Sequence, residues 1–354
     1  MYWDFTSFNM QKIKDKNKKL KVNYLHKKFY IFGFLIFLLL SLNAQDIHFS
    51  QFYNTPLIIN PALTGNIDYN LRFGLNYRNQ GKSISVPYKT YSAFIDAKLT
   101  PRFLKRGRLG IGGMFYNDRA GDGNLQSTTG MAFASYSKGF NRYNTFVGTI
   151  GIAIGFLNRS VNFSKLLFDN QWNGTSFDPF LPNNENFTDN SIFSIDFNFG
   201  VLISYSFSNK IKVHIGSSLS HVNKPKTSFY ESNNRLEHKL IIHGGLYYEL
   251  NNKLNITPEF FYSTHSNTNE IIFGTNLLYG KKELKLNCGI WYRFSRDIIP
   301  LIGINYNKYY LSFSYDINIS KLHYASNYCG GFEISLTRIF YINNRRTPCE
   351  NFEY

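Results

Sequence analysis

From Ile195 to Phe207 every second residue is apolar: Ile195, Phe197, Phe199, Val201, Ile203, Tyr205 and Phe207. Between them lie Asp196, Asn198, Gly200, Leu202, Ser204 and Ser206, of which only Leu202 is apolar. On a helix this series would scatter over every face, whereas on a strand it separates into one greasy side and one wet side. The alternation returns at Leu284, Leu286, Cys288, Ile290, Tyr292 and Phe294, against Lys285, Asn287, Gly289, Trp291 and Arg293. It returns again at Tyr309, Leu311, Phe313, Tyr315 and Ile317, against Tyr310, Ser312, Ser314 and Asp316. Weaker copies lie near 71–80, 90–99, 109–117, 128–138, 144–158, 211–220, 239–250, 253–263, 270–279, 298–306 and 331–340. The pattern predicts about 14 strands and no helical period of any length after residue 45.

Strands of this length suit a tilted bilayer crossing, and a closed barrel satisfies every backbone group without water. The wet positions carry Gly, Asn, Ser, Asp and Lys rather than the large side chains of a dry core. Tyr247-Tyr248, Phe260-Phe261-Tyr262 and Tyr309-Tyr310 suggest rings at the membrane–water boundary. The fold class expected is all-β: a transmembrane antiparallel β-barrel over 71–340. A secreted β-sandwich is the competing fold, but its strands are shorter and so many would normally divide between two domains. The polar stretches 141–144, 208–209 and 251–252 read as tight hairpin turns; 81–89, 166–190 and 221–237 read as long loops. Outer-membrane barrels gather short turns at one end and long loops at the other.

The N-terminus does not alternate. Lysines from Lys12 to Lys28 are followed by an apolar run from Phe29 to Leu40 and then Ser41-Leu42-Asn43-Ala44. A basic region, a short apolar region and a small residue at the cut describe a secretory signal peptide over 1–44, with Met10 as an alternative start. As a helix the apolar run reaches about 18 Å, short of the ~30 Å hydrocarbon core, which disfavours an uncleaved anchor. Gln45, not Cys, follows the cut, so no lipid anchor is expected.

Composition agrees. Aromatic residues are 18% and charged residues 18% of the 354 positions, which excludes disorder and coiled coil. Mean hydropathy is −0.27, which excludes a bundle of membrane-spanning helices. The net charge of +16 is owed in large part to the N-terminal lysines. The remaining basic residues are spread out, as suits lipid headgroups, lipopolysaccharide or acidic partner surfaces, and export argues against nucleic acid.

Candidate chemistry is sparse. Asp118-Arg119-Ala120-Gly121-Asp122-Gly123-Asn124 is rich in turn formers but lacks the carboxylates and terminal Glu of a calcium loop. The histidines show no metal-ligand spacing. No nucleophile elbow or phosphate loop is present. No enzyme activity, cofactor or metal is expected. Of the cysteines, Cys288 falls inside a strand pattern as a small apolar filler, and a Cys329–Cys349 disulfide competes with free thiols.

Residues 45–65 read Gln-Asp-Ile-His-Phe-Ser-Gln-Phe-Tyr-Asn-Thr-Pro-Leu-Ile-Ile-Asn-Pro-Ala-Leu-Thr-Gly, an ordered but irregular segment. Here the chain resembles the PorP/SprF family of type IX secretion system outer-membrane proteins. The likeness continues through Tyr77-Arg78-Asn79-Gln80, Asp118–Leu125, Lys165–Gln171, His221-Val222-Asn223-Lys224-Pro225 with Ser228-Phe229, and Phe332-Glu333-Ile334-Ser335-Leu336. It covers essentially the whole mature chain. The resemblance implies a non-enzymatic outer-membrane barrel that supports export or surface attachment of adhesin-like cargo through the cargo's C-terminal signal domain. It also implies association with other secretion and gliding components. Its motif positions supply the candidate partner-binding residues. His48, Phe49, Ser50, Gln51, Tyr53, Pro56, Asn60, Pro61 and Gly65 come from the opening segment. Arg78 and Gln80 lie in the first strand, Asp118, Gly121, Asp122 and Gly123 near a turn, and Asn223 and Pro225 in a loop. Structural roles compete for each: the prolines shape a plug, and Arg78 faces a wet lumen. The segment 45–70 is expected at or inside the periplasmic mouth, and 341–354 forms a tail. The alternative function is a channel or transporter for hydrophobic small molecules.

Overall fold

The computed structural model describes residues 47–341 except 85, 102, 122, 186–188, 230–233, 267 and 282. The expected signal peptide, Asp122, Cys349 and the tail beyond Tyr341 lie outside the described residues.

Fourteen strands form a closed antiparallel barrel in which each pairs with its sequence neighbours and the first pairs with the last. They are β1 (Leu71–Gln80), β2 (Tyr88–Leu99), β3 (Gly107–Ala120), β4 (Leu125–Gly139), β5 (Phe146–Ser160), β6 (Ser191–Ser206) and β7 (Ile211–Ser220). The remainder are β8 (Lys239–Asn251), β9 (Leu254–His265), β10 (Thr268–Lys281), β11 (Leu284–Arg293), β12 (Asp297–Tyr306), β13 (Tyr309–Asn318) and β14 (Cys329–Phe340). The closing seam is paired from Leu71 opposite Phe340 to Gln80 opposite Gly331, so it leaves no free edge along β1.

The greasy phase faces outward. Phe193, Ile195, Phe197, Phe199, Val201, Ile203 and Tyr205 of β6 are all exposed, and Leu202 is buried in the lumen. An apolar exterior on a sealed ladder is stable only where lipid is the solvent. Cys288 lies on this outer face, and Cys329 is a free thiol at the start of β14. The adjacent aromatic pairs divide by the period of two: Tyr248, Phe260 and Tyr309 face outward, whereas Phe261 is buried in the lumen and Tyr310 takes a 2.7 Å hydrogen bond from inward-facing Asn287. Adjacent rings therefore divide between the two surfaces, and Tyr262, two residues on, shares the outward phase of Phe260.

The three turns and three loops expected from sequence sort by end. Connections 140–145, 207–210 and 252–253 lie beside the start of β1 and the end of β14. Connections 81–87, 161–190 and 221–238 lie at the opposite end. By the rule for such barrels the short-turn end is periplasmic and the long-loop end is outside.

Candidate functional site: a strap through the lumen

Residues 47–65 run down the barrel interior as a strap. Pro and Asn interrupt any regular element, and the segment folds as three single turns, Phe52–Asn54, Pro56–Ile59 and Pro61–Leu63. Pro56 and Pro61 each occupy the first helical position, where a missing N–H costs nothing. The Asn60 side chain caps the last turn by accepting from Ala62 N at 2.8 Å.

The strap begins at the long-loop end, in a buried cluster of charge. Glu333 of β14 accepts hydrogen bonds from the backbone N–H groups of Ser50 and Gln51. The Ser50 hydroxyl donates to Asp316 of β13 at 2.8 Å and accepts from Arg78 and Arg293, both at 2.6 Å. Arg78 pairs with Asp316 at 2.8 Å and with Glu333. Arg293 pairs with Asp316 at 3.1 Å, with Glu270 at 2.9 Å and with Asp297. Gln80 steadies Arg78 by accepting from its Nη2 at 3.0 Å. Gln51 donates to Ser314 at 2.9 Å, which ties the next turn to β13. Half-buried His48 is held neutral: burial and then the Arg78 and Arg293 charges push its pKa well below the usual 6.5.

Lower down, apolar packing takes over on two walls. Phe52 and Ile59 join Ile241, Phe261, Ile272, Trp291 and Ile299 from β8 to β12. Tyr53 stacks on Trp291 at 5.0 Å between ring centroids. Leu57 packs on the opposite wall with Phe94, Met114, Tyr116, Met131, Phe133 and Ala153 from β2 to β5. Phe49 is buried as well. The inward phase is therefore not uniformly polar, as the alternation alone suggested: large inward side chains stand where strap residues need cover. Each fully buried apolar side chain of this size contributes about 1.5–3 kcal/mol.

At the base the strap touches backbone. Asn60 is fully buried and donates to Val201 O at 2.9 Å and Ser217 O at 3.2 Å. Ser218 donates to Ile59 O and Ser135 to Thr64 O. A Cβ on Gly151 would overlap the Pro61 carbonyl and Ala62 nitrogen, and one on Gly110 would overlap the Thr64 carbonyl. Gly65 has φ +65°, and its N–H donates to Asp96 at 2.8 Å while Arg72 holds the same carboxylate. Only the residues near Gly65 lie at the short-turn mouth. The strap does not stay there as expected, because its irregular backbone finds inward polar partners along the whole lumen.

The remaining motif residues lie elsewhere. Asp118 and Arg119 belong to β3 rather than to a turn, and Asp118 accepts from Thr90 at 2.6 Å. Gly121 supplies a positive φ of 68° to the β3–β4 turn, and Gly123 packs closely against Leu166. Asn223 lends its side chain to the upper edge of β6, accepting from Phe197 N at 3.2 Å and donating to Ile195 O at 2.6 Å. Buried Pro225 accepts from Leu236 N at 2.9 Å and closes the same loop. Arg293, Glu270, Asp297, Asp316, Glu333 and Asp96 were not singled out as site residues from sequence. Their signal was there: each is a full charge in the inward phase of a strand whose other phase is apolar.

A sealed ladder of fourteen strands, greasy outside and charged within, defines an outer-membrane β-barrel. The chain belongs to the type IX secretion system membrane protein family PorP/SprF, whose family model matches residues 41–337. No curated protein matches the chain in sequence. Among solved structures, a deltaS2 mutant of the TodX monoaromatic hydrocarbon channel superposes with a TM-score of 0.50 at 10% identity, covering 81% of this chain and 94% of that one. The toluene transporter TbuX of Ralstonia pickettii gives 0.48 at 10% identity, with 81% and 94% covered. The translocator domain of the autotransporter NalP from Neisseria meningitidis gives 0.41 at 10% identity, with 77% and 90% covered. At these identities the likeness concerns the fold alone.

Proposed function

We propose that the barrel is a non-enzymatic docking station of type IX secretion: its long-loop end holds the C-terminal domain of an adhesin-like cargo protein during export or surface attachment, beside other secretion and gliding components. The observation that carries this reading is the construction of loop 161–190. Buried Gln171 accepts from Phe168 N at 3.0 Å and donates to Leu181 O at 2.9 Å, which folds the loop onto itself. The described part of the loop then presents Phe180 at 95% exposure with Trp172 and Phe177 half exposed. Exposed rings on a built loop suit a protein partner better than water. Exposed loop backbone also offers a place for strand addition. The strap favours this over the channel reading, since it sits between both apolar walls of the lumen and leaves transport to an opening step.

The test is capture of a cargo C-terminal domain by the folded barrel. Wild type is expected to retain the domain, and Phe180→Ser with Trp172→Ser to lose it while the barrel still assembles. In cells, deleting the gene should leave cargo in the periplasm or shed into the medium. Unchanged surface display of every type IX substrate, together with steady solute conductance by the purified barrel, would favour the channel instead.

A further inference from the structure

We propose that the outer face of β14, β1, β2 and β3 binds a phosphorylated, acylated glycolipid of the outer leaflet, of the lipid A type. The inference concerns the lipid-facing exterior, and neither the strap nor cargo docking enters it.

The registers place three rows of outward side chains across these four strands. The deepest row is Leu336, Leu75, Ala93 and Phe115, each opposite the next. Ala93 is the small member between two large ones, and it floors an apolar cleft of about 330 Å³. Two residues nearer the long-loop end the row is Ile334, Tyr77, Tyr91 and Asn117. The rings of Tyr77 and Tyr91 lie 4.9 Å apart and wall the cleft. Two residues further the row is Phe332, Asn79, Lys89 and Arg119, with the two cations directly opposite one another. The face therefore passes from hydrocarbon to amphipathic ring to positive charge along one line. At about 3.4 Å per residue the cations stand about 14 Å along the strands from the cleft floor.

The cations are available. Lys89 and Arg119 are both exposed, and neither enters an ion pair among the described residues. Arg119 donates from Nε to Asn117 Oδ1 at 3.2 Å, which orients the guanidinium and leaves its two terminal nitrogens for an anion. The neighbouring carboxylate, Asp118, points to the other side of the sheet and accepts from Thr90. A phosphate at Lys89 and Arg119 with an acyl chain descending past Tyr91 onto Ala93 satisfies all three rows at once. A partner barrel would cover the apolar rows but would leave the paired cations needing acidic side chains in lipid. A glycolipid headgroup supplies the anion at the depth where the cations stand, on the side of the membrane that the long loops define as outer.

The experiment is native mass spectrometry of the full-length folded protein titrated with lipid A, dephosphorylated lipid A or phosphatidylglycerol. Lipid A is expected to be retained best. Each cation removed should weaken it about fivefold, so Lys89→Ala with Arg119→Ala costs about thirtyfold. Dephosphorylation should match that loss in wild type and add nothing in the double variant. Ala93→Phe, which fills the cleft, should weaken lipid A with or without its phosphates. Lys138→Ala, an exposed cation at the opposite end, should change nothing. Heat-dependent gel migration reports folding; if Ala93→Phe fails to fold, the exposed cation pair alone decides. Equal retention by wild type and the double variant overturns the proposal. So does phosphatidylglycerol binding as tightly and with the same sensitivity, and so does a co-purifying protein that occupies the face with no lipid retained.

Discussion

The two halves of the strap are held by different physics. At Ser50 and Gln51 the holders are ions and their hydrogen bonds, centred on Arg78, Arg293, Asp316 and Glu333. From Asn60 to Thr64 the holders are shape and backbone: Gly110 and Gly151 let the strap lie against the wall, and Asn60 binds two wall carbonyls. Buried ion pairs cost much to desolvate, and removing one partner strands the other. Close backbone packing has no such switch. The upper half is therefore the end that a change of charge can release, and the lower half is the hinge that keeps the strap attached to β1.

Arg293→Ala gives the largest expected effect. It leaves Asp316, Glu270 and Asp297 short of a cation and destabilises the seat by about 3–5 kcal/mol. Hydrogen exchange should rise at 50–54 and stay slow at 60–65; a uniform rise along the strap would erase the distinction between its halves. Gly151→Val attacks the other end, where the added atoms meet Pro61 and Ala62 and cost about 1–3 kcal/mol. The pattern should invert, with exchange rising at 60–65 while the Ser50 seat survives. Asn60→Ala is milder, about 1–2 kcal/mol for the hydrogen bonds to the wall that it removes, and should loosen the same residues to a smaller degree.

The smallest effect is that of pH on His48. A base whose pKa is depressed in the folded state contributes stability that is full above 6.5 and falls as pH drops below it. Exchange at Ser50 and Gln51, corrected for its intrinsic rate, should therefore quicken below pH 6.5. His48→Leu should flatten that response. An unchanged response in the variant would remove His48 as its source.

Much of this molecule was legible because a period of two is a local property. The alternation located all fourteen strands within a few residues and assigned the lipid face. Turn composition separated short connections from long ones, and the structure places the three long ones at one end. The opening segment was recognisable as ordered and irregular from Pro56, Asn60 and Pro61, yet its path was not. Nothing local says that Ser50 meets Glu333, a partner 283 positions away. Gln171 shows the same limit: its motif was visible, but its role as the pin of a loop depends on Phe168 and Leu181 folding back onto it.

Alternating side chains decided, before any folding, that this chain would wrap lipid with strands. Such features depend only on neighbours a few bonds apart. Closure of the ladder decided the rest, by bringing charges from β1, β10, β11, β12, β13 and β14 into one buried cluster and laying the strap between two apolar walls. Those meetings depend on register around a complete turn of the barrel, and register belongs to the whole cylinder rather than to any segment of the chain.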